Sequence, residues 1–508
     1  MAGYTQKMVT GVLSVVISSF VAAIFAYLLR LVLAQKLSPE NFGLTYAVIA
    51  VFGLVAVFAH LGFNETISKY VSEFNARKQK EKIKFSITFA LLTQLSVALI
   101  VGVILYFSSG FLAANYFKNP AAEMMVKIFL ISFVLAPFEF VTLSSFQGFQ
   151  KMGLYSVAAV IRPAALFSLT WIFLGMNLGL MSYVLALAAV SIIPFFTYVP
   201  IFIKKVFPEF LKIKSHYDSQ LAKKLRNFAI SVIITASASI VISYTDTILI
   251  TFFKTLKEVA YYNVAIPTAQ VLWLFSVSIT AVLLPISSEL WAKNRKFLAE
   301  GVKSIYKFAS IIIFPAALAM LFFSDFIIVL LFGPEYQPAS LPLKILALGS
   351  IFLTIAQVGI TLMNGIGKPR YNNYTVWTAA LCNLVLNIFL VPKFGIAGAA
   401  FASAFSFFLM MVISYIMVRK LTDIKINFAD ILKVIFCSAF FVAILYLFRG
   451  LGIENVWLKA IISLISAGLF YAVLLLITKT ITLKEIRTIF ERAFAKKTAT
   501  YNPIQEQE

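Results

Sequence analysis

Charge is scarce in this sequence. Asp, Glu, Lys and Arg make up 13% of its 508 residues, about half the share usual in a soluble chain. With 61% of the residues hydrophobic, so few charges cannot hide the apolar surface from water, which excludes an ordinary soluble enzyme and a disordered tail. Cysteine is nearly absent. Cys382 and Cys437 both lie inside apolar runs, so a disulfide framework is excluded and both read as packing residues. Histidine is limited to His60 and His216, far apart in sequence. Without a Cys/His cluster at metal-ligand spacing or a His-Glu-x-x-His string, no metal centre is expected. No Gly-rich loop runs into Gly-Lys-Ser/Thr, so ATP hydrolysis is not expected either. No nucleophile–base constellation appears. The chain reads as a non-enzyme without a cofactor.

Long apolar runs are what the sequence has in abundance. A membrane-spanning helix needs about 20 apolar residues. Runs of that order recur near 9–34, 42–63, 85–109, 125–146, 156–176, 180–203, 228–250, 261–287, 308–331, 343–364, 373–391, 397–418, 431–448 and 457–478. They predict an all-α polytopic membrane protein with fourteen transmembrane helices. The first run begins after eight residues, is long and lacks a small-residue cleavage site, so it reads as a retained span rather than a removed leader.

Basic residues set the orientation. With the N-terminus placed in the cytoplasm, 32 of the 43 Lys and Arg residues fall on the cytoplasmic side. Ten fall on the outer side or at outer helix ends, and Arg162 alone lies deep in a span. Both termini are therefore expected in the cytoplasm, in a multi-pass protein of the plasma membrane. Topology and attraction to anionic lipid headgroups account for the net charge of +22, in preference to a nucleic-acid footprint. The longest loops, 64–84 and 204–227, are too short for a catalytic domain. Past Ile477 the tail is basic, with Leu483, Ile486, Ile489, Phe490 and Phe494 at amphipathic spacing. A helix lying on the membrane surface is expected there.

Shifting the chain by 216 to 218 residues brings similar features into register. Lys36, Glu40 and Ala47 fall on Lys254, Glu258 and Ala265. The turn Gln147–Lys151 falls on Asn364–Lys368, and Gly179, Ala186 and Ala188 fall on Gly395, Ala402 and Ala404. That offset spans six helices, an even number, so the two copies point the same way and relate by an axis along the membrane normal. The expected organisation is a six-helix bundle at 1–203, a cytoplasmic linker at 204–227 and a second six-helix bundle at 228–418. Two additional helices at 419–478 and a basic amphipathic cytoplasmic tail at 479–508 complete it. A central cleft between the two parallel repeats is the natural place for a substrate.

Two six-helix halves plus two extra helices resemble the multidrug/oligosaccharidyl-lipid/polysaccharide exporter superfamily. Local strings resemble its polysaccharide-biosynthesis (O-antigen-type) flippases: Leu33-Ala34-Gln35-Lys36-Leu37-Ser38-Pro39-Glu40-Asn41-Phe42-Gly43, Leu61-Gly62-Phe63 with Lys69-Tyr70, Gly333-Pro334-Glu335-Tyr336, and Asn364-Gly365-Ile366-Gly367-Lys368-Pro369. The resemblance covers about 5–480. His60 departs from it, standing where such proteins often carry an acid before Leu-Gly. The resemblance implies that a lipid-linked saccharide on a polyprenyl phosphate or pyrophosphate crosses from the inner to the outer leaflet. Glycosyltransferases or a polymerase of the same pathway are implied partners.

A charged side chain at the middle of a membrane costs at least about 2.5–3.5 kcal/mol, so each needs a reason. Glu139 in the fourth span and Arg162 in the fifth each lie about seven residues, roughly 10 Å, from the inner ends of antiparallel neighbours. They can pair, beside Pro137 and Pro163. Their repeat positions are Ala356 and Ala379, which favours a functional role, although an ion pair that locks two helices stays open. Arg30 in the first span and Asp246 in the seventh lie on repeat mates near outer ends. They are expected to form an outer gate, or else to snorkel singly to the headgroups. Under the resemblance, Arg30 and Arg162 would bind the pyrophosphate, because a planar guanidinium matches phosphate oxygens bidentately. Glu139 and Asp246 are the candidates for coupling to H⁺ or Na⁺, or for gating.

Pro194, Pro267, Pro285 and Pro315 suggest bends suited to alternating access. Gly395, Gly398 and Ala402 suggest close helix packing. Tyr261, Tyr262, Trp291, Trp377 and Trp457 read as an interfacial belt, and His60 as a lone structural histidine or a titrating one. Three readings compete: a lipid-linked saccharide flippase, an ion-coupled exporter of drugs or other small molecules, and a proton-pumping subunit of a respiratory complex. The third would need a chain of deep Lys, Glu and His side chains, which the sequence lacks.

Overall fold

The computed structural model describes residues 2–60, 62–214, 216–424, 427–450, 455–482 and 485. Among them every regular element is a helix. In chain order these are α1 (Ala2–Lys36), α2 (Pro39–His60), α3 (Phe63–Ala76), α4 (Lys80–Phe111), α5 (Ala121–Gly148), α6 (Met152–Gly175), α7 (Met181–Val190), α8 (Ile193–Phe196) and α9 (Tyr198–Ile201). Then follow α10 (Ser219–Phe253), α11 (Leu256–Gln270), α12 (Leu274–Lys293), α13 (Arg295–Phe322), α14 (Ser324–Phe332), α15 (Ser340–Gly365), α16 (Pro369–Thr422), α17 (Phe428–Arg449) and α18 (Val456–Ile477).

Among the described residues, 12 helices are long and apolar enough to cross a membrane, or 13 when the bent pair Ser219–Ile234 and Ser237–Phe253 counts as one span. Fourteen were expected. The difference lies in α16, where the runs 373–391 and 397–418 join in one helix of 54 residues through Gly395, at φ 57 and ψ −137. A straight helix of that length would measure about 80 Å, far beyond a hydrocarbon layer of about 30 Å. The break at a residue without a Cβ is therefore what lets the element fit. The outward-facing side chains also show a lipid solvent: Phe107, Phe196 and Leu447 are 81%, 78% and 72% exposed.

Two expected loops carry structure. The segment 64–84 is largely α3, whose Phe63, Ile67, Tyr70, Val71 and Phe74 are buried on one face. The end of the 204–227 linker is helical, because Asp218 caps α10 by accepting the Leu221 amide at 2.9 Å. Proline interrupts the sixth run, which breaks into α7, α8 and α9 around Pro194 and Pro200. The expected surface helix of the tail lies almost wholly outside the described residues. Its base is held by Lys307 donating to Glu485 at 2.7 Å, and the Thr482 amide donates back to Glu485 at 2.9 Å.

The chain divides into two compact units. One comprises 1–271, 324–349 and 370–410, and the other 272–323, 350–369 and 411–508. In the first, α1 packs on α6, α4 on α5, and α2 on both α10 and α11. The α2–α11 crossing is close enough that a Cβ at Gly43 would lie 1.8 Å from the Leu256 carbonyl oxygen. Tyr336 is buried and donates to the Ala34 carbonyl at 3.1 Å. Two of the sequence strings that carried the resemblance thus meet across some 300 residues of chain.

In the second unit α13, α17 and α18 share an apolar core around Val434, Phe441, Leu445 and Tyr471. A seam of hydroxyls joins α12 to α15 there. Ser276 bonds Thr354 at 3.1 Å, Thr280 bonds Thr361 at 3.1 Å, and Ser288 donates to the Gly365 carbonyl at 2.9 Å. Small polar residues of this kind hold helices together where the surrounding solvent offers no hydrophobic drive.

Candidate functional site: two buried carboxylates in one unit

Glu139 lies on α5 and Arg162 on α6, and the expected pair forms. Arg162 Nη1 donates to Glu139 Oε2 at 2.6 Å. The two partners are unequally enclosed, with 6% of the Glu139 side chain exposed against 29% for Arg162. Pro137 and Pro163 interrupt the backbone hydrogen bonding of both helices beside the pair, since proline lacks an N–H and frees a carbonyl one turn earlier. On its open side Arg162 lines a cavity of about 210 Å³, walled by Phe52, Phe129, Phe133, Phe140, Tyr183 and Tyr244. Gly53 makes that wall: a Cβ there would lie 2.2 Å from the Tyr244 ring. Ser132 also lines the cavity, and its Oγ is buried without a hydrogen-bond partner.

Asp246, on α10, is 1% exposed. Its carboxylate is met by neutral donors from two other helices. Asn387 Nδ2 donates to Oδ1 at 2.7 Å and Asn383 Nδ2 to the same oxygen at 3.2 Å. Ser403 donates to Oδ2 at 2.5 Å, and the Tyr262 hydroxyl donates to that oxygen as well. The amide oxygens of both asparagines are buried with no partner. A native interior rarely leaves such groups unpaired.

Arg30 and Asp246 do not bond each other. Arg30 Nε donates to the Tyr46 hydroxyl at 3.1 Å, Nη1 donates to the Asn263 carbonyl at 2.8 Å, and the guanidinium lies 4.4 Å from the Tyr46 ring centroid. The two expected gate residues instead meet consecutive residues of α11, Asp246 taking Tyr262 and Arg30 taking Asn263. Asn263 Nδ2 in turn donates to Thr247 at 3.2 Å, so both charges grip the same turn of one helix.

Reading only the charged residues missed this cage. Asn383 and Asn387 stand one turn apart in an apolar run, and that spacing of two amides was the available signal. Tyr262 belongs to the cage and is fully buried, which removes it from the expected interfacial belt. Trp377 donates to the Ile234 carbonyl at 2.7 Å, and Trp457 is exposed. Cys437 is buried, as a packing residue should be. The side chain of His60 lies outside the described residues.

A family model described as "Polysaccharide biosynthesis protein" matches residues 8–291, and the MatE model matches 229–389. Together with the fold, these matches define a flippase-type transporter of the multidrug/oligosaccharidyl-lipid/polysaccharide exporter superfamily. The chain belongs to the polysaccharide biosynthesis protein family. It is 33% identical over 435 residues to an uncharacterized membrane protein of Methanocaldococcus jannaschii, covering 83% of this chain and 85% of that one. It is 25% identical over 487 residues to a probable low-salt glycan biosynthesis flippase of Haloferax volcanii, covering 93% and 96%. Among solved structures, the lipid II flippase MurJ in an inward closed conformation superposes with a TM-score of 0.74 at 17% identity, covering 95% of this chain and 99% of that chain.

Proposed function

We propose that this protein flips a lipid-linked oligosaccharide or polysaccharide repeat unit from the cytoplasmic to the outer leaflet by alternating access. The observation that carries the reading is Arg162, a guanidinium facing a cavity from within apolar helices, with its countercharge enclosed behind it. A polyprenyl phosphate or pyrophosphate is the ligand chemistry such a group fits, and Arg30 is the second candidate donor. The names of the Haloferax volcanii relative and of MurJ point in the same direction. In this reading α16 serves as two spans on either side of Gly395. The six-helix repeats at 1–203 and 228–418, the extra pair of helices at 419–478, the cytoplasmic termini and the plasma-membrane location are parts of the same proposal.

Asp246 is the proposed coupling site. Turning the two asparagine amides exchanges their nitrogen and oxygen positions and would surround the carboxylate with oxygen from Asn383, Asn387, Ser403 and Tyr262. One negative charge among neutral oxygens suits a monovalent cation, and Na⁺ is the ion we propose.

Arg162→Ala and Arg30→Ala are each expected to abolish glycan export in cells while inserted protein persists at normal levels. Normal export by both variants would refute cationic recognition of the substrate. A second reading, ion-coupled export of small molecules, is favoured by the MatE match over 229–389. Drug-resistance profiles separate it, since that reading requires drug sensitivity on deletion with surface glycan unchanged.

A further inference from the structure

We infer that Glu139 is an internal counter-anion that holds Arg162 until a phosphate-type anion enters the cavity, and that loading this anion protonates Glu139. The inference rests on the flippase reading only for the source of the anion, the headgroup of a lipid carrier. Free pyrophosphate offers the same chemistry.

Three observations carry it. Among the described residues the Arg162 guanidinium is engaged only through Nη1, by Glu139, and the side chain lines the cavity, so donors are left over for a guest. Ser132, 4% exposed, lines the same space, and its hydroxyl is buried without a partner. The cavity is therefore lined by a cation and by a residue whose donor is unspent, two features that an anion requires. Its size suits the guest, since about 210 Å³ has room for a phosphoryl-sized group.

The proton follows from the enclosure of Glu139. When the guanidinium turns to a ligand oxygen, the Nη1–H···Oε2 bond breaks and no covalent bond forms. An ionised carboxylate left in an apolar interior without its cation is strongly disfavoured, so Glu139 takes one proton from water and becomes a neutral carboxyl. The charged and titratable groups facing the pair are few. They are Tyr198 on α9, whose hydroxyl donates to the Ala158 carbonyl at 3.0 Å, Tyr183 on α7 beside Arg162, and Tyr244 on α10 across the cavity, with Arg30 further off. Among the described residues no other charged side chain acts on Glu139. Pro137 and Pro163 supply the local give for the exchange.

The test is calorimetry on the purified full-length protein, titrated with inorganic pyrophosphate in two buffers of different ionisation enthalpy. A parallel titration uses polyprenyl phosphate in lipid nanodiscs. Wild type is expected to take up about one more proton per anion than Glu139→Gln, with affinity falling by as much as about tenfold per pH unit across the window in which uptake occurs. Glu139→Gln, which still accepts a hydrogen bond from Arg162 but competes less, is expected to bind more tightly. Arg162→Gln is expected to lose binding, and Glu139→Gln with Arg162→Gln, a neutral pair, to unfold at the wild-type temperature. Equal proton uptake by wild type and Glu139→Gln, weaker binding by Glu139→Gln, or no binding of either probe would overturn the inference. Binding of the lipid alone assigns the anion to a headgroup, and binding of both probes assigns the site to phosphate as such. Proton-linked binding in a protein that moves no saccharide would overturn the flippase reading and leave this inference standing. Export without proton-linked binding would do the reverse.

Discussion

Glu139 meets a single cation at the edge of a cavity, whereas Asp246, in the same unit, meets four neutral donors from two other helices. Both are carboxylates among apolar side chains, yet their surroundings answer different demands. An ion pair of one contact can be exchanged for another, because the guanidinium keeps donors to spare and lies beside open space. A cage of four hydrogen bonds from separate elements fixes the position of its centre and ties the packing of α10, α11 and α16 to its charge state. The contrast suggests that the first carboxylate is arranged to let go and the second to register what binds.

Breaking the cage is expected to have the largest effect. Asp246→Ala takes the acceptor from Tyr262, Ser403, Asn383 and Asn387, and although Asn383 Nδ2 keeps Ser403 and Asn387 Nδ2 keeps the Asn383 carbonyl, each donor left buried and unpaired costs about 1–3 kcal/mol. A total loss of about 3–5 kcal/mol after relaxation is expected, read as a lowered unfolding temperature of the detergent-solubilised protein together with loss of export. An unfolding temperature within a degree of wild type would remove the distinction between the two carboxylates.

Tyr262→Phe removes one donor and leaves three. About 1.5–3 kcal/mol is expected for a hydrogen bond to a charged group, and the change should shift the Na⁺ dependence of export more than its maximal rate. If export loses its Na⁺ response without a change in stability, the cage is a binding site and contributes little to holding the helices.

Ser132→Ala is the smallest change and sharpens the comparison from the other side. Its hydroxyl is unpartnered, so removing it is expected to leave stability unchanged or raise it by about 1 kcal/mol. Pyrophosphate binding should weaken at the same time. A clear loss of stability would mean that the hydroxyl is already satisfied and that the cavity offers one donor fewer.

Much of this arrangement was legible in the chain. Glu139 and Arg162 could be matched because each was the one deep charge in its span, at similar depth, on consecutive antiparallel helices. The Asp246 cage could not, because its members are ordinary polar residues 16 to 157 positions away in sequence and no local pattern links them. Arg30 drew attention for the same reason as Asp246, but charge alone could not foretell that consecutive residues of α11 would hold each of them separately. The segment 64–84 read as a loop because its basic residues masked the helical spacing of Phe63, Ile67, Tyr70 and Phe74.

By itself the sequence determined the solvent, the helical class and the family, since the hydropathy of about 20 consecutive residues decides whether a helix enters lipid and that quantity is local. Only the tertiary structure decided which polar groups answer each buried charge and how far each is enclosed. Those outcomes depend on helix rotation and crossing, as where Gly43 admits α11 and Gly53 admits Tyr244. Such contacts join residues that no window along the chain holds together.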